Sequence, residues 1–212
     1  VTKSEEENLM DDAIGSKISD YLIKPVNPNQ ILLSIKKNID TKRLVSEKTS
    51  SDYLKEFQSI GMSLHHNMTF EEWINIYKKL VFWELELSKS GNEGMEEIIA
   101  SQKTEANHLF AKFIQENYQN WVNDENKTNP ILSNSLFKEK VYPELENQNQ
   151  CVFLVVIDNL RYDQWKIIQP ILSEYYEVLS DELYCSILPT ATQYCRNSIF
   201  AGLMPLEIQK RF

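Results

Sequence analysis

The chain has 212 residues, of which 42% are hydrophobic and 11% aromatic, so wholesale disorder is excluded. It carries 31 acidic against 22 basic residues and a formal net charge of −9. This balance argues against a dominant nucleic-acid-binding face, although it leaves room for one local basic site. The longest apolar run covers residues 151–157 and is too short for a membrane span.

Three cysteines, Cys151, Cys185 and Cys195, lie at no metal-ligand spacing. Two of them fall in strongly apolar stretches typical of strands. This pattern favours buried free thiols in a reducing compartment, so we expect a cytoplasmic protein without a membrane span.

Residues 1–40 are predicted to form a helix, a short strand and a second helix. Residues 21–23 form the strand-like run, and Pro28 can occupy the first turn of the helix that follows. A single strand cannot bury its faces alone. We therefore expect the chain to begin inside an α/β domain whose sheet continues upstream.

Residues 41–147 are predicted to be helical. One segment covers residues 54–61, and a second begins at Thr69, which has the capping-box spacing to Glu72. A third runs from about residue 93 to residue 121. Three amphipathic helices favour a small bundle, with their aromatic side chains in its core.

Residues 148–212 are predicted to begin a second α/β domain. An apolar run at 151–157 and another at 183–188 are typical of buried strands, and a helix is predicted after each. The expected fold is thus two incomplete α/β lobes joined by an all-α three-helix bundle.

Two polar residues follow the predicted strands of this last region. Asp158 comes directly after the first strand, and Thr192 lies four residues past the second, at the start of a helix. Ligands of open α/β sheets bind at this edge, and a helix N-terminus favours a phosphate. On spacing alone, a helix cap at Thr192 and a strand-end residue at Asp158 are the simpler interpretation.

Two motifs resemble known enzymes. Residues 155–163 (VVIDNLRYD) are similar to the opening motif of PglZ domains, which are members of the alkaline phosphatase superfamily. Residues 188–192 (LPTAT), followed by residues 201–205 (AGLMP), are similar to the nucleophile segment of that superfamily's phosphodiesterase branch. The nucleophilic threonine of that branch matches Thr192, ten residues before Gly202, and Thr190 is the weaker candidate.

This resemblance implies a phosphodiester substrate and a site for two zinc ions, to which Asp158 and Thr192 contribute ligands. The remaining Asp and His ligands are expected beyond Phe212, so the 212 residues alone should be inactive. Arg161 and Arg196 could bind a phosphate group or could be structural.

Residues 1–40 are similar to the C-terminal part of response-regulator receiver domains. Thr2, Tyr21 and the pair Lys24-Pro25 match the switch threonine, switch aromatic and lysine–proline pair, and Thr2 precedes Lys24 by 22 residues. This resemblance implies a phosphoacceptor aspartate upstream, magnesium as its cofactor, and a sensor histidine kinase as partner.

A receiver end, a helical bundle and a PglZ start in this order resemble the PorX-type family of response regulators associated with type IX secretion. The resemblance implies that phosphorylation promotes a homodimer through residues 4–40 and that the bundle relays this change to the hydrolase. The alternative is a non-catalytic regulator that binds a promoter, a sigma factor or a secretion component. No helix-turn-helix pattern supports direct DNA binding.

Overall fold

The computed structural model describes residue 22 and residues 28–65, 67–123, 129–146 and 151–211. The chain divides into two compact units, Val1–Leu64 with Phe82–Thr104, and His65–Val81 with Glu105–Phe212. A π-helical turn, Phe137–Val141, leads into one short helix. The α-helices in chain order are α1 (Pro28–Ser63), α2 (Phe70–Ser90), α3 (Glu93–Asn123), α4 (Tyr142–Leu145), α5 (Tyr162–Leu172), α6 (Thr192–Ala201) and α7 (Pro205–Arg211).

The prediction of α/β lobes at the two ends is wrong, because the described residues are mostly helical and contain no strand. Residues 151–157 are exposed, with Phe153 at 88% and Val155 at 78% of full exposure. Residues 183–188 form one isolated parallel bridge, between Leu132 and Cys185. A strand needs a hydrogen-bonded neighbour along its length, and an apolar run specifies burial without specifying that neighbour. Except for residue 22, the strand predicted at 21–23 lies outside the described residues.

In the middle region, the structure confirms helices at the three predicted places, residues 54–61, from Thr69 onward and from about residue 93 to residue 121. The backbone N–H of Thr69 donates to Oε2 of Glu72 at 2.7 Å, and the N–H of Glu72 donates to Oγ1 of Thr69 at 3.3 Å. This is the predicted capping box at the start of α2. The helices predicted at 31–39 and 54–61 are parts of the single 36-residue helix α1.

The first unit has Tyr53 at the centre of its buried residues. The Tyr53 ring is fully buried and lies against Trp83, with 5.6 Å between ring centroids. Its hydroxyl donates to Oε1 of Gln102 at 3.1 Å, and the amide of Gln102 donates to the carbonyl of Phe57 at 3.0 Å. A buried polar pair is thus satisfied inside an apolar core.

One hydrophobic cluster of the second unit joins residues of the regions predicted at 41–147 and 148–212. Its buried members are Leu132, Cys185, Ile187 and Cys195. Four partly buried side chains pack against them: Phe70, Ile114, Trp121 and Met204. Cys185 is buried as predicted and Cys195 is buried too, whereas the prediction of a buried thiol at Cys151 is wrong, since that residue is exposed.

Candidate phosphoryl-transfer site

Thr192 is the first residue of α6, so its side chain lies at the N-terminus of a helix. The preceding residue, Ala191, has extended backbone angles (φ −72°, ψ 138°) and forms the boundary with the turn. Thr192 is exposed to solvent. Unpaired N–H groups and the positive end of the helix dipole make this a position that favours an anion.

Asp158 and Arg196 form an ion pair beside this helix. Oδ2 of Asp158 lies 3.5 Å from Nη1 of Arg196, and both side chains are more than half exposed. Arg196 is four residues after Thr192 on α6, so these two residues share a helix face. The structure therefore pairs Asp158 with Arg196, on the helix that begins at Thr192.

The fourth residue, Arg161, neutralises a different carboxylate. Its Nε and Nη2 atoms donate to the two oxygens of Asp163 at 3.0 and 2.7 Å. The hydrogen bonds and charge of Arg161 hold the pKa of Asp163 below its ordinary value. Arg161 also donates its backbone N–H to Oε1 of Gln164 at 3.0 Å, which closes the first turn of α5.

Side chains from other elements hold the turn that precedes Thr192. The N–H of Ile187 donates to Oγ of Ser133 at 3.1 Å, and the N–H of Leu188 donates to Oη of Tyr118 at 2.7 Å. Sγ of Cys195 lies 3.3 Å from the carbonyl oxygen of Ile187. Sequence reasoning missed Ser133 and Tyr118, because no local pattern links them to partners 54 and 70 residues away.

A second polar cluster surrounds Asp181. Its Oδ2 accepts hydrogen bonds from Nζ of Lys166 at 2.5 Å and from the hydroxyl of Tyr162 at 3.1 Å. Nζ of Lys78, on α2, donates to the backbone carbonyl of Asp181 at 2.6 Å. Burial alone would raise the pKa of Asp181, but the hydrogen bonds from Lys166 and Tyr162 outweigh it, so the pKa is lowered.

The donor set for a metal ion is partial. Asp158 and Thr192 offer a carboxylate and a hydroxyl, which are suitable oxygen ligands for zinc. Among the described residues, no group of three or more His, Cys, Asp and Glu side chains is arranged to hold a metal ion. The receiver residues Thr2, Tyr21, Lys24 and Pro25 lie outside the described residues.

Comparison with known proteins identifies two domains. Residues 136–212 match the BREX system PglZ alkaline phosphatase-like domain, and this match includes Asp158 and Thr192. Residues 43–122 match the PorX response regulator linker domain. No protein of curated function matches the chain.

Residues 136–212 are therefore similar to an alkaline phosphatase-like domain. The linker match before it, in this order, confirms the similarity to PorX-type response regulators that carry a PglZ domain. Within the described ranges, none of the helices combines the length and apolar character that crossing a membrane requires.

Proposed function

We propose that this protein is a two-component response regulator whose output domain is a zinc-dependent phosphodiesterase with Thr192 as its nucleophile. The Asp158–Arg196 pair carries the proposal, because it brings Asp158 to the helix that begins at Thr192. Both domain matches support it, since a regulator linker precedes an alkaline phosphatase-like domain.

The reaction would use the residues at the start of α6. Oγ1 of Thr192 would lose its proton to solvent and attack phosphorus, and the bond from phosphorus to the leaving alkoxide would break as the alkoxide takes up a proton. Water would then break the bond between phosphorus and Oγ1 in the phosphothreonine ester, which releases a phosphomonoester and restores the hydroxyl. The helix N-terminus and Arg196 would stabilise the negative charge on the phosphoryl oxygens. Asp158 and Thr192 would hold zinc, which when bound lowers the pKa of a coordinated hydroxyl.

Metal analysis tests the zinc part of this proposal. We expect the full-length wild type to bind zinc and to hydrolyse a chromogenic phosphodiester. Asp158→Asn should lower both the zinc content and the rate of hydrolysis, because the amide is a weaker zinc ligand than the carboxylate. Asp163→Asn is the matched control, since Asp163 lies in the first turn of α5 and pairs with Arg161 instead of Arg196. Equal zinc content in wild type and Asp158→Asn would contradict a ligand role for Asp158.

Regulation would come from a receiver domain that includes residues 1–40. A sensor histidine kinase would phosphorylate it with magnesium as cofactor, and phosphorylation would promote a homodimer through residues 4–40. We extend the proposal to a link with type IX secretion, and the similarity to PorX-type regulators supports it. Size-exclusion chromatography of the full-length protein with and without a phosphoryl mimic tests this part. An unchanged mass would contradict it.

A non-catalytic regulator is the second candidate. The observation that favours it is that Arg196 neutralises Asp158, as in a structural ion pair. In that case the PglZ domain and the linker helices would bind a sigma factor, a promoter or a secretion component. Hydrolysis that depends on Thr192 would exclude this candidate.

A further inference from the structure

We propose that Tyr118, on the linker helix α3, is a positioning residue for the Thr192 nucleophile. This inference rests on the proposed function, because it assigns a role within that site. It goes beyond that function by placing one named residue of the linker domain in direct control of the nucleophile segment.

The contact is a hydrogen bond between distant parts of the chain. The backbone N–H of Leu188 donates to Oη of Tyr118 at 2.7 Å, across 70 residues of sequence. Leu188 begins the LPTAT segment, four residues before Thr192. The Tyr118 hydroxyl therefore holds the backbone at the point where the nucleophile turn leaves the core.

Neighbouring side chains on α3 reinforce this contact. Ile114 and Trp121 lie four residues before and three residues after Tyr118, so all three share one face of the helix. Both pack against the cluster that contains Ile187 and Cys195. These two residues lie before and after the nucleophile turn in sequence, so this face of α3 packs against the cluster that flanks the turn.

The hydrogen bond from Leu188 to Tyr118 joins the two domain matches, so it offers a route by which the linker can regulate the nucleophile turn. Tyr118 lies inside the 43–122 linker match, whereas Leu188 and Thr192 lie inside the 136–212 match. A displacement of α3 would therefore move the nucleophile turn directly. Misplacing a reacting group by about 1 Å can cost on the order of a hundredfold in rate. The linker domain can thus control hydrolysis without contacting the substrate.

Tyr118→Phe in the full-length protein tests the proposal, because it removes the hydroxyl and keeps the packed ring. We expect kcat for a chromogenic phosphodiester to fall about tenfold, with KM changed by less than about twofold. Amide hydrogen exchange at Leu188 should become faster. Tyr142→Phe is the control, since Tyr142 is half exposed and its ring contact with Phe137 survives the change.

Each outcome of these measurements either supports or overturns the positioning role of Tyr118. A slower kcat together with faster Leu188 exchange supports the proposal, and unchanged exchange at Leu188 overturns it, whatever the rate. Unchanged kcat in an active enzyme also overturns it. If Tyr118→Phe fails to fold, a backbone ester that replaces the Leu188 amide removes the donor instead and should lower kcat equally; a wild-type rate would overturn the proposal.

Failure of the proposed function is distinguishable from failure of this inference. A wild type without Thr192-dependent hydrolysis would refute the enzyme and, with it, a positioning role in catalysis. Leu188 exchange in Tyr118→Phe would still report separately whether the hydroxyl holds the turn.

Discussion

Nη1 of Arg196 lies 3.5 Å from Oδ2 of Asp158, and this pair joins the two motifs on which the functional assignment depends. Asp158 belongs to the motif at residues 155–163, inside the PglZ match, whereas Arg196 lies on α6, one turn after Thr192. Arg196 can therefore serve either as a counter-charge for Asp158 or as a ligand for a phosphate oxygen.

Arg196→Gln separates these two roles. Because the pair is exposed, its loss should cost about 0–1 kcal/mol of the free energy of unfolding. Phosphodiester hydrolysis should fall about tenfold or more, because the positive charge beside the phosphate is lost. Arg43→Gln is a matched control, since Arg43 forms an exposed pair with Glu47 on α1. Full activity in Arg196→Gln would leave Arg196 with a structural role only.

The cluster around Asp181 predicts a pH-dependent stability. The pKa of Asp181 is lower in the folded protein than its ordinary value of 3.8. Its stabilising contribution is therefore complete above that ordinary value and is lost as the pH falls through the lowered pKa. Asp181→Asn should lower the Tm at pH 7 and weaken the decline of the Tm as the pH falls below about 3.8.

Thermal unfolding followed by circular dichroism across this pH range measures the effect. Asp52→Asn is the control, because Asp52 pairs with Lys55 at an exposed position on α1. Parallel Tm–pH curves for wild type and Asp181→Asn would show that the Asp181 cluster contributes no linked stability.

The cysteines should differ in reactivity. Cys151 is exposed, whereas Cys185 and Cys195 are buried, and burial raises the pKa of the Cys185 thiol to about 11. A thiol reagent at pH 8 should therefore label Cys151 in the native protein and reach Cys185 and Cys195 only after unfolding. Mass spectrometry of labelled peptides resolves the three positions, and rapid native labelling of Cys185 would contradict this arrangement.

Helix ends were the most predictable part of the fold, because their signals are local. The capping box at Thr69 and the start of a helix at Thr192 both depend on residues within one turn. The β structure was not predictable from the apolar run at 151–157. That run has the composition of a buried strand, yet its side chains are exposed in the structure. Composition reports what a segment prefers to bury, and strand formation also depends on a partner elsewhere in the chain.

In the candidate site too, residues in local motifs were predictable and a residue that depends on a long-range contact was not. The resemblance to PglZ motifs predicts Asp158 and Thr192 as site residues, and the structure pairs Asp158 with Arg196 on the helix that begins at Thr192. Tyr118 was not identified, because its contact with Leu188 depends on the fold of 70 intervening residues. Residues that touch the reacting group belong to short motifs, whereas residues that position it can come from any packed element.

The central claim is that Thr192 is the nucleophile of a zinc-dependent phosphodiesterase. Its most direct test compares full-length wild type with Thr192→Val for hydrolysis of a chromogenic phosphodiester, with bound zinc and Tm measured for both. Valine keeps the shape of threonine and removes the hydroxyl, so the account predicts loss of hydrolysis with an unchanged Tm. Equal rates for the two proteins, with zinc absent from both, would contradict the enzyme and leave a PglZ domain that acts by binding.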